Sequence, residues 1–93
     1  MNRRVRIEGT GRCGCAHYFE DDKKITFDWE IGGTVVAILW SCPVEEWNVK
    51  YPWAEGRNEE ILKFVADEAI RQKSPGCIAE LQSDGTTVHI KEN

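Results

Sequence analysis

This chain of 93 residues contains no apolar run longer than a strand; the longest, Val35 to Trp40, falls far short of the ~18 residues of a membrane span. Three arginines near the N-terminus, Arg3, Arg4 and Arg6, have no apolar stretch behind them to form the core of a signal peptide. The expectation is a cytoplasmic chain with no membrane partner. Glycine-rich phosphate loops are missing, because Gly9-Thr10-Gly11 and Gly32-Gly33 lead into strands and not into helices. There is no serine nucleophile elbow and no spaced histidine pair on a helix, the two histidines, His17 and His89, falling on different strands. An enzyme is therefore the disfavoured class, and no cofactor is expected. Positive charge is in deficit: 12 Lys and Arg face 16 Asp and Glu, a net charge of −4, which offers no long-range attraction for phosphate backbones. Nucleic acid is not an expected partner.

What is present suffices for one folded domain spanning 1–93. Hydrophobic residues make up 41% and charged residues 30%, with four Trp, three Phe and two Tyr, enough apolar material to offset ordering entropy in a single core. Without secretory context, Cys13, Cys15, Cys42 and Cys77 read as reduced thiols.

Turn chemistry divides the chain. Thr10-Gly11, Asp21-Asp22, Gly32-Gly33 and Asp84-Gly85 each separate runs with alternating or β-branched residues, the pattern of tight hairpins. Strands are predicted over 3–9, 12–20, 23–31, 34–40, 77–82 and 86–91. Between the fourth and fifth, Asn58 reads as a helix cap, Glu59 and Glu60 suit the positive end of the helix dipole, and Ile61, Leu62, Val65, Ala66 and Ala69 form one stripe up to Ser74-Pro75-Gly76. The expected fold is α+β: a mostly antiparallel sheet of about six strands in the order β-β-β-β-α-β-β, a four-strand meander, one helix packed on one face, and a C-terminal hairpin. Strictly alternating directions place the fifth strand beside the first, giving strand order 6-5-1-2-3-4, with parallel addition beside the fourth strand as the alternative.

Two-residue turns also fix a register. Val5 and Ile7, then Gly14, Ala16 and Tyr18, then Ile25, Phe27 and Trp29, then Val36, Ile38 and Trp40 fall on one apolar face, while Leu81 meets Val88 and Ala79 meets Ile90 in the last hairpin. Small Gly14 and Ala16 leave a trough there. It could form a small-molecule pocket; the expectation is that Phe27, Trp29 and the helix fill it.

The far face then carries Arg4, Arg6 and Glu8, Cys13, Cys15 and His17, Thr26, Asp28 and Glu30, and an apolar row of Val35, Ala37 and Leu39. Cys15 is placed between Arg6 and Asp28, and His17 between Arg4 and Thr26. Cys13, Cys15 and His17 are candidate metal ligands, or Cys15 a thiol activated by its arginine, although i and i+2 side chains about 7 Å apart reach a common ion only with a bulge at Gly14. A solvated sheet face with cross-strand ion pairs explains the same residues. His89 is accounted for by Glu80 across its hairpin.

Residues 41–56 form a long loop rich in aromatics: Trp47, Tyr51 and Trp53 are either partner-binding anchors or rings folded back to cap the core. The function read from these features is a non-catalytic protein-interaction module or assembly subunit, binding a protein partner or forming a homo-oligomer, using this loop with the Val35 row or an open sheet edge. The alternative is a metal-binding or thiol-redox protein.

Overall fold

The computed structural model describes residues 2–32 and 35–93. Alternating side chains and tight turns build the meander of β1 (Arg3–Thr10), β2 (Cys13–Glu20), β3 (Lys23–Gly32) and β4 (Val35–Trp40). A short helix α1 (Val44–Lys50) and one 3₁₀ turn (Pro52–Ala54) follow, then α2 (Asn58–Lys73), β5 (Cys77–Leu81) and β6 (Thr87–Glu92). The α+β class and the element order are as read from the sequence. The addition is α1: residues 41–56 are not a structureless loop, and Pro43 immediately before the helix and Pro52 at the start of the 3₁₀ turn supply the fixed φ that such starts accept.

The sheet order is β1-β2-β3-β4-β6-β5, not 6-5-1-2-3-4. The hairpin joins through β6, antiparallel to β4, with Leu39 opposite Val88 and Ala37 opposite Ile90. Strand β4 is apolar at all six positions, the composition of an interior strand, whereas β1 carries three arginines. Each outer strand has a carbonyl taken by a glutamine amide: Gln72 Nε2 donates to Val5 O at 3.0 Å and Gln82 Nε2 to Glu80 O at 2.9 Å. Val5 O points away from β2, so the first contact occupies one group of the β1 edge, whereas Glu80 O lies on the β6 side of its strand.

Register follows the sequence for β2 with β3, where Tyr18, Ala16 and Gly14 face Ile25, Phe27 and Trp29. Between β1 and β2 the turn lies at Gly11-Arg12, so Val5 faces Tyr18, Ile7 faces Ala16 and Gly9 faces Gly14; this two-residue slide keeps every side chain on its expected face. Between β3 and β4 the outcome is different. The pairing shifts between Glu30 and Gly32, placing Trp29 opposite Leu39 and Glu30 opposite Ile38. That odd shift turns β4 over: Leu39 and Ala37 join the core face, and Ile38 and Trp40, with Val36 by alternation, move to the far face. Gly33 of the expected Gly32-Gly33 turn lies outside the described residues.

The core sits between the sheet and the helices. Val5, Ala16, Tyr18, Ile25, Phe27, Leu39 and Val88 from the strands meet Ile61, Leu62, Val65 and Ala66 of α2, and Trp47 and Ala54 close one end. Asn58 is the first residue of α2 and buried, not its cap; the cap position belongs to Arg57.

Glycine is essential at one pairing. A Cβ on Gly14 would collide with Glu8 O and sit 2.6 Å from Gly9 Cα, so β1 and β2 approach here more closely than any other residue allows. Gly14→Ala is expected to cost about 1–3 kcal/mol through this overpacking, read as a lowered urea midpoint at unchanged slope.

Candidate functional site

The far face of the sheet holds the cysteine and histidine candidates, in new company. Cys15 lies between Glu8 and Asp28, its Sγ 4.0 Å from Asp28 Oδ1, while Arg6 stands beside His17. The arginine on which the activated-thiol reading rested is therefore one residue pair away. His17 is buried in the sheet surface, its Nε2–H donating to Glu8 Oε1 at 2.5 Å and its Nδ1 hydrogen-bonded with Thr26 Oγ1 at 3.0 Å. Both ring nitrogens are thus engaged. The His17 bond, with Arg6 next to it, holds the Glu8 carboxyl below the usual carboxylate range. Among the described residues, no three of His, Cys, Asp and Glu come together closely enough to hold a metal ion. All four cysteines are free thiols, and burial with Glu46 nearby pushes the Cys42 thiol up.

The aromatic segment divides. Trp47 is completely enclosed, stacked on Phe27 at 6.1 Å between centroids and edge-on to Tyr51 at 5.0 Å, with its indole N–H donating to Ala54 O at 2.9 Å. Tyr51 and Trp53 are half-buried against the same core.

Two arrangements escaped the sequence reading. The first surrounds Phe19, which points to the far face at one end of the sheet. Arg4 and Lys24 flank it across the strands, and the guanidinium carbons of Arg4 and Arg6 and the ammonium of Lys24 lie 4.5, 5.9 and 5.9 Å from its ring centroid. Three cations converge on one ring in a chain of net charge −4. The signal was a cross-strand row, Arg4-Phe19-Lys24, hidden by the two-residue slide of β1. Further along the same face lie the carboxylates Glu8, Asp28 and Glu30, and beside them the half-exposed side chains of Ile38 and Trp40.

The second arrangement is at the core margin. Arg57 forms a two-pronged pair with Glu20, Nη1 to Oε2 at 3.0 Å and Nη2 to Oε1 at 2.9 Å; Tyr18 donates its hydroxyl to Glu20 at 2.5 Å, and Arg3 Nε donates to Tyr18 at 2.9 Å. Glu60 joins both arginines. This network ties β1 and β2 to the start of α2.

On the helix side a cleft of about 340 Å³ opens where the last turns of α2 leave the sheet. The expected filling of the trough is only partial: Phe27 turns to Trp47, while Trp29 lies over Gly9, 2.6 Å from where its Cβ would be, with its indole N–H donating to the carbonyls of Glu8 at 3.0 Å and Cys15 at 3.2 Å.

No known protein family matches this chain, and no curated protein or solved structure matches it either.

Proposed function

We propose that this chain is a non-catalytic protein-interaction module, and that it docks through the uncovered face of its sheet onto a partner surface bearing carboxylates. The observation that carries this reading is the cluster of Arg4, Arg6 and Lys24 around Phe19. Arg6 is paired with Glu8 at 3.5 Å, whereas Arg4 and Lys24 make no ion pair among the described residues; holding these like charges around one ring costs energy, and an acidic partner offsets that cost. The half-exposed Ile38 and Trp40 supply an apolar contact on the same face, the arrangement of anchors among polar groups found in protein interfaces. Both helices pack on the other side of the sheet, which leaves this face available for docking. The burial of Trp47 favours a contact elsewhere; Trp53 and Tyr51 stand at the rim of the core.

Polyphosphate is a poor fit for the same surface. Glu8, Asp28 and Glu30 interrupt the basic area within one or two residue pairs, whereas a nucleic acid needs a continuous cationic track.

A photo-crosslinking amino acid at position 19, introduced in the source cells, tests the proposal. The expected outcome is one discrete crosslinked polypeptide that disappears when Arg4→Glu and Lys24→Glu are added, with the circular dichroism of the chain unchanged. Crosslinking that ignores charge reversal, or that captures only nucleic acid, would overturn it.

A further inference from the structure

We propose that the cleft beneath the end of α2 is a binding site for a small amphipathic monoanion, its apolar chain in the cavity and its carboxylate on Lys73. The cavity opens on the helix side of the sheet, opposite the docking face, and the two share the strand positions Glu8 and Ile38.

The cavity has a plain origin. Gly9, Ala16 and Ala37 on the sheet face Ala69 on the helix, so four of the smallest residues meet where larger ones would have filled the space. Its floor reaches Ala16 and Leu39, both buried, and its walls are Ile7, Trp29, Ile31 and Ile90. At about 340 Å³ it lies within the ~300–1,000 Å³ common for small-molecule sites, and its lining is mostly hydrocarbon, as such sites require. Water gains little in a space with so few polar partners.

The apolar wall is fixed before any ligand arrives. Trp29 is held by its two hydrogen bonds to backbone carbonyls and cannot swing into the void without breaking them. Ile31, at the mouth, is 45% exposed although it is a large aliphatic residue beside a cavity. A ligand chain would cover it.

The polar side of the mouth selects the head group. Of the two charged residues lining the cleft, Lys73 and Glu8, the second carries its carboxylate on the far face of the sheet. Glu8 is committed to His17 and Arg6, whereas Lys73 makes no ion pair among the described residues; the basic and acidic residues near it on α2 pair with one another, Lys63 with Asp67 and Arg71 with Glu68. Lys73 also faces the negative end of the helix dipole, and Ser74 follows it with a hydroxyl. One uncommitted ammonium over an apolar cavity matches one carboxylate on an apolar chain.

Calorimetric titration with sodium decanoate, and separately with decan-1-ol, tests both halves. The intact chain is expected to take up one molecule of either. Lys73→Met should weaken decanoate roughly fivefold and leave the alcohol unchanged, the size of a partly exposed charge pair. Ala69→Leu should abolish both by occupying the space, with a melting temperature equal to or above that of the parent chain. Ala37→Val serves the same purpose should Ala69→Leu disturb folding. Absence of saturable binding, or binding that survives the filling substitutions, overturns the site. Loss of decanoate and decanol affinity in equal measure on Lys73→Met, or no loss at all, overturns the anionic assignment.

Discussion

Trp47→Ala should lower the stability of this domain by about 3–5 kcal/mol, the range for truncating a fully buried large aromatic residue. Trp47 has no exposed surface, and its removal loses the stacking on Phe27, the edge contact with Tyr51 and the hydrogen bond that anchors the 3₁₀ turn through Ala54. Ala54 is also fully buried, so the loss spreads from α1 into the turn that precedes α2. A 93-residue domain has of order 5–15 kcal/mol in total, and the variant should be partly unfolded in moderate urea where the parent is intact. A shift below about 1 kcal/mol would mean that the ring contributes little to the core and would return Trp47 to the list of contact residues.

Arg57→Met should have the next largest effect, and its size should depend on pH. Arg57 holds the Glu20 carboxyl down to about 2 by a two-pronged hydrogen-bonded pair, with the Tyr18 hydroxyl assisting. The same pairing raises the Arg57 value, and burial together with the bond to Glu20 raises that of Tyr18. Glu20 in the unfolded chain titrates near 4.5, so between about 4.5 and 2 the unfolded chain binds more protons than the folded one. Stability from this group is therefore complete above about pH 4.5 and is lost as the pH falls toward 2. Glu60, lowered by the same arginine, adds a smaller slope of the same sign. Near neutral pH, Arg57→Met leaves a buried carboxylate with the Tyr18 hydroxyl and the more distant Arg3 to face it, a loss of about 2–3 kcal/mol because Arg57 keeps 26% of its side chain exposed. Urea titrations across pH 2.5 to 7 should show the variant converging on the parent toward the acid end. Parallel curves would show that Glu20 does not couple to Arg57.

The strands, the long helix and the first three rows of the core were legible because their patterns were redundant. In β1 to β3 the apolar residues Val5, Ile7, Ala16, Tyr18, Ile25 and Phe27 occupy alternate positions, so even the two-residue slide at Gly11-Arg12 left them on the right face. In β4 that redundancy vanishes. Val-Val-Ala-Ile-Leu-Trp is apolar on both parities, so the turn alone decided the face, and a shift at Glu30 to Gly32 reversed it. The same uniform apolarity was the available clue that β4 is flanked on both sides and that the last hairpin joins there.

The site was less legible for related reasons. Phe19 and its three cations depend on a cross-strand alignment that adjacent positions in sequence do not display. Glu20 and Arg57 are 37 residues apart, and each alone resembles an ordinary surface charge. The cleft arises from an absence of side-chain volume at Gly9, Ala16, Ala37 and Ala69, three of which had been read as ordinary strand or stripe positions. Trp47 was unresolved between anchor and core because a Trp in a long connection suits both; only its contact with Phe27 separates them.

The glutamine amide on Val5 O has a consequence beyond the single molecule. A sheet grows into a filament when a newcomer's backbone continues the ladder at its margin, and on the β1 side one outward group of that margin is occupied by the chain's own amide. A strand that added beside β1 would first have to displace this amide, so growth on that side starts with a cost that a bare edge does not carry.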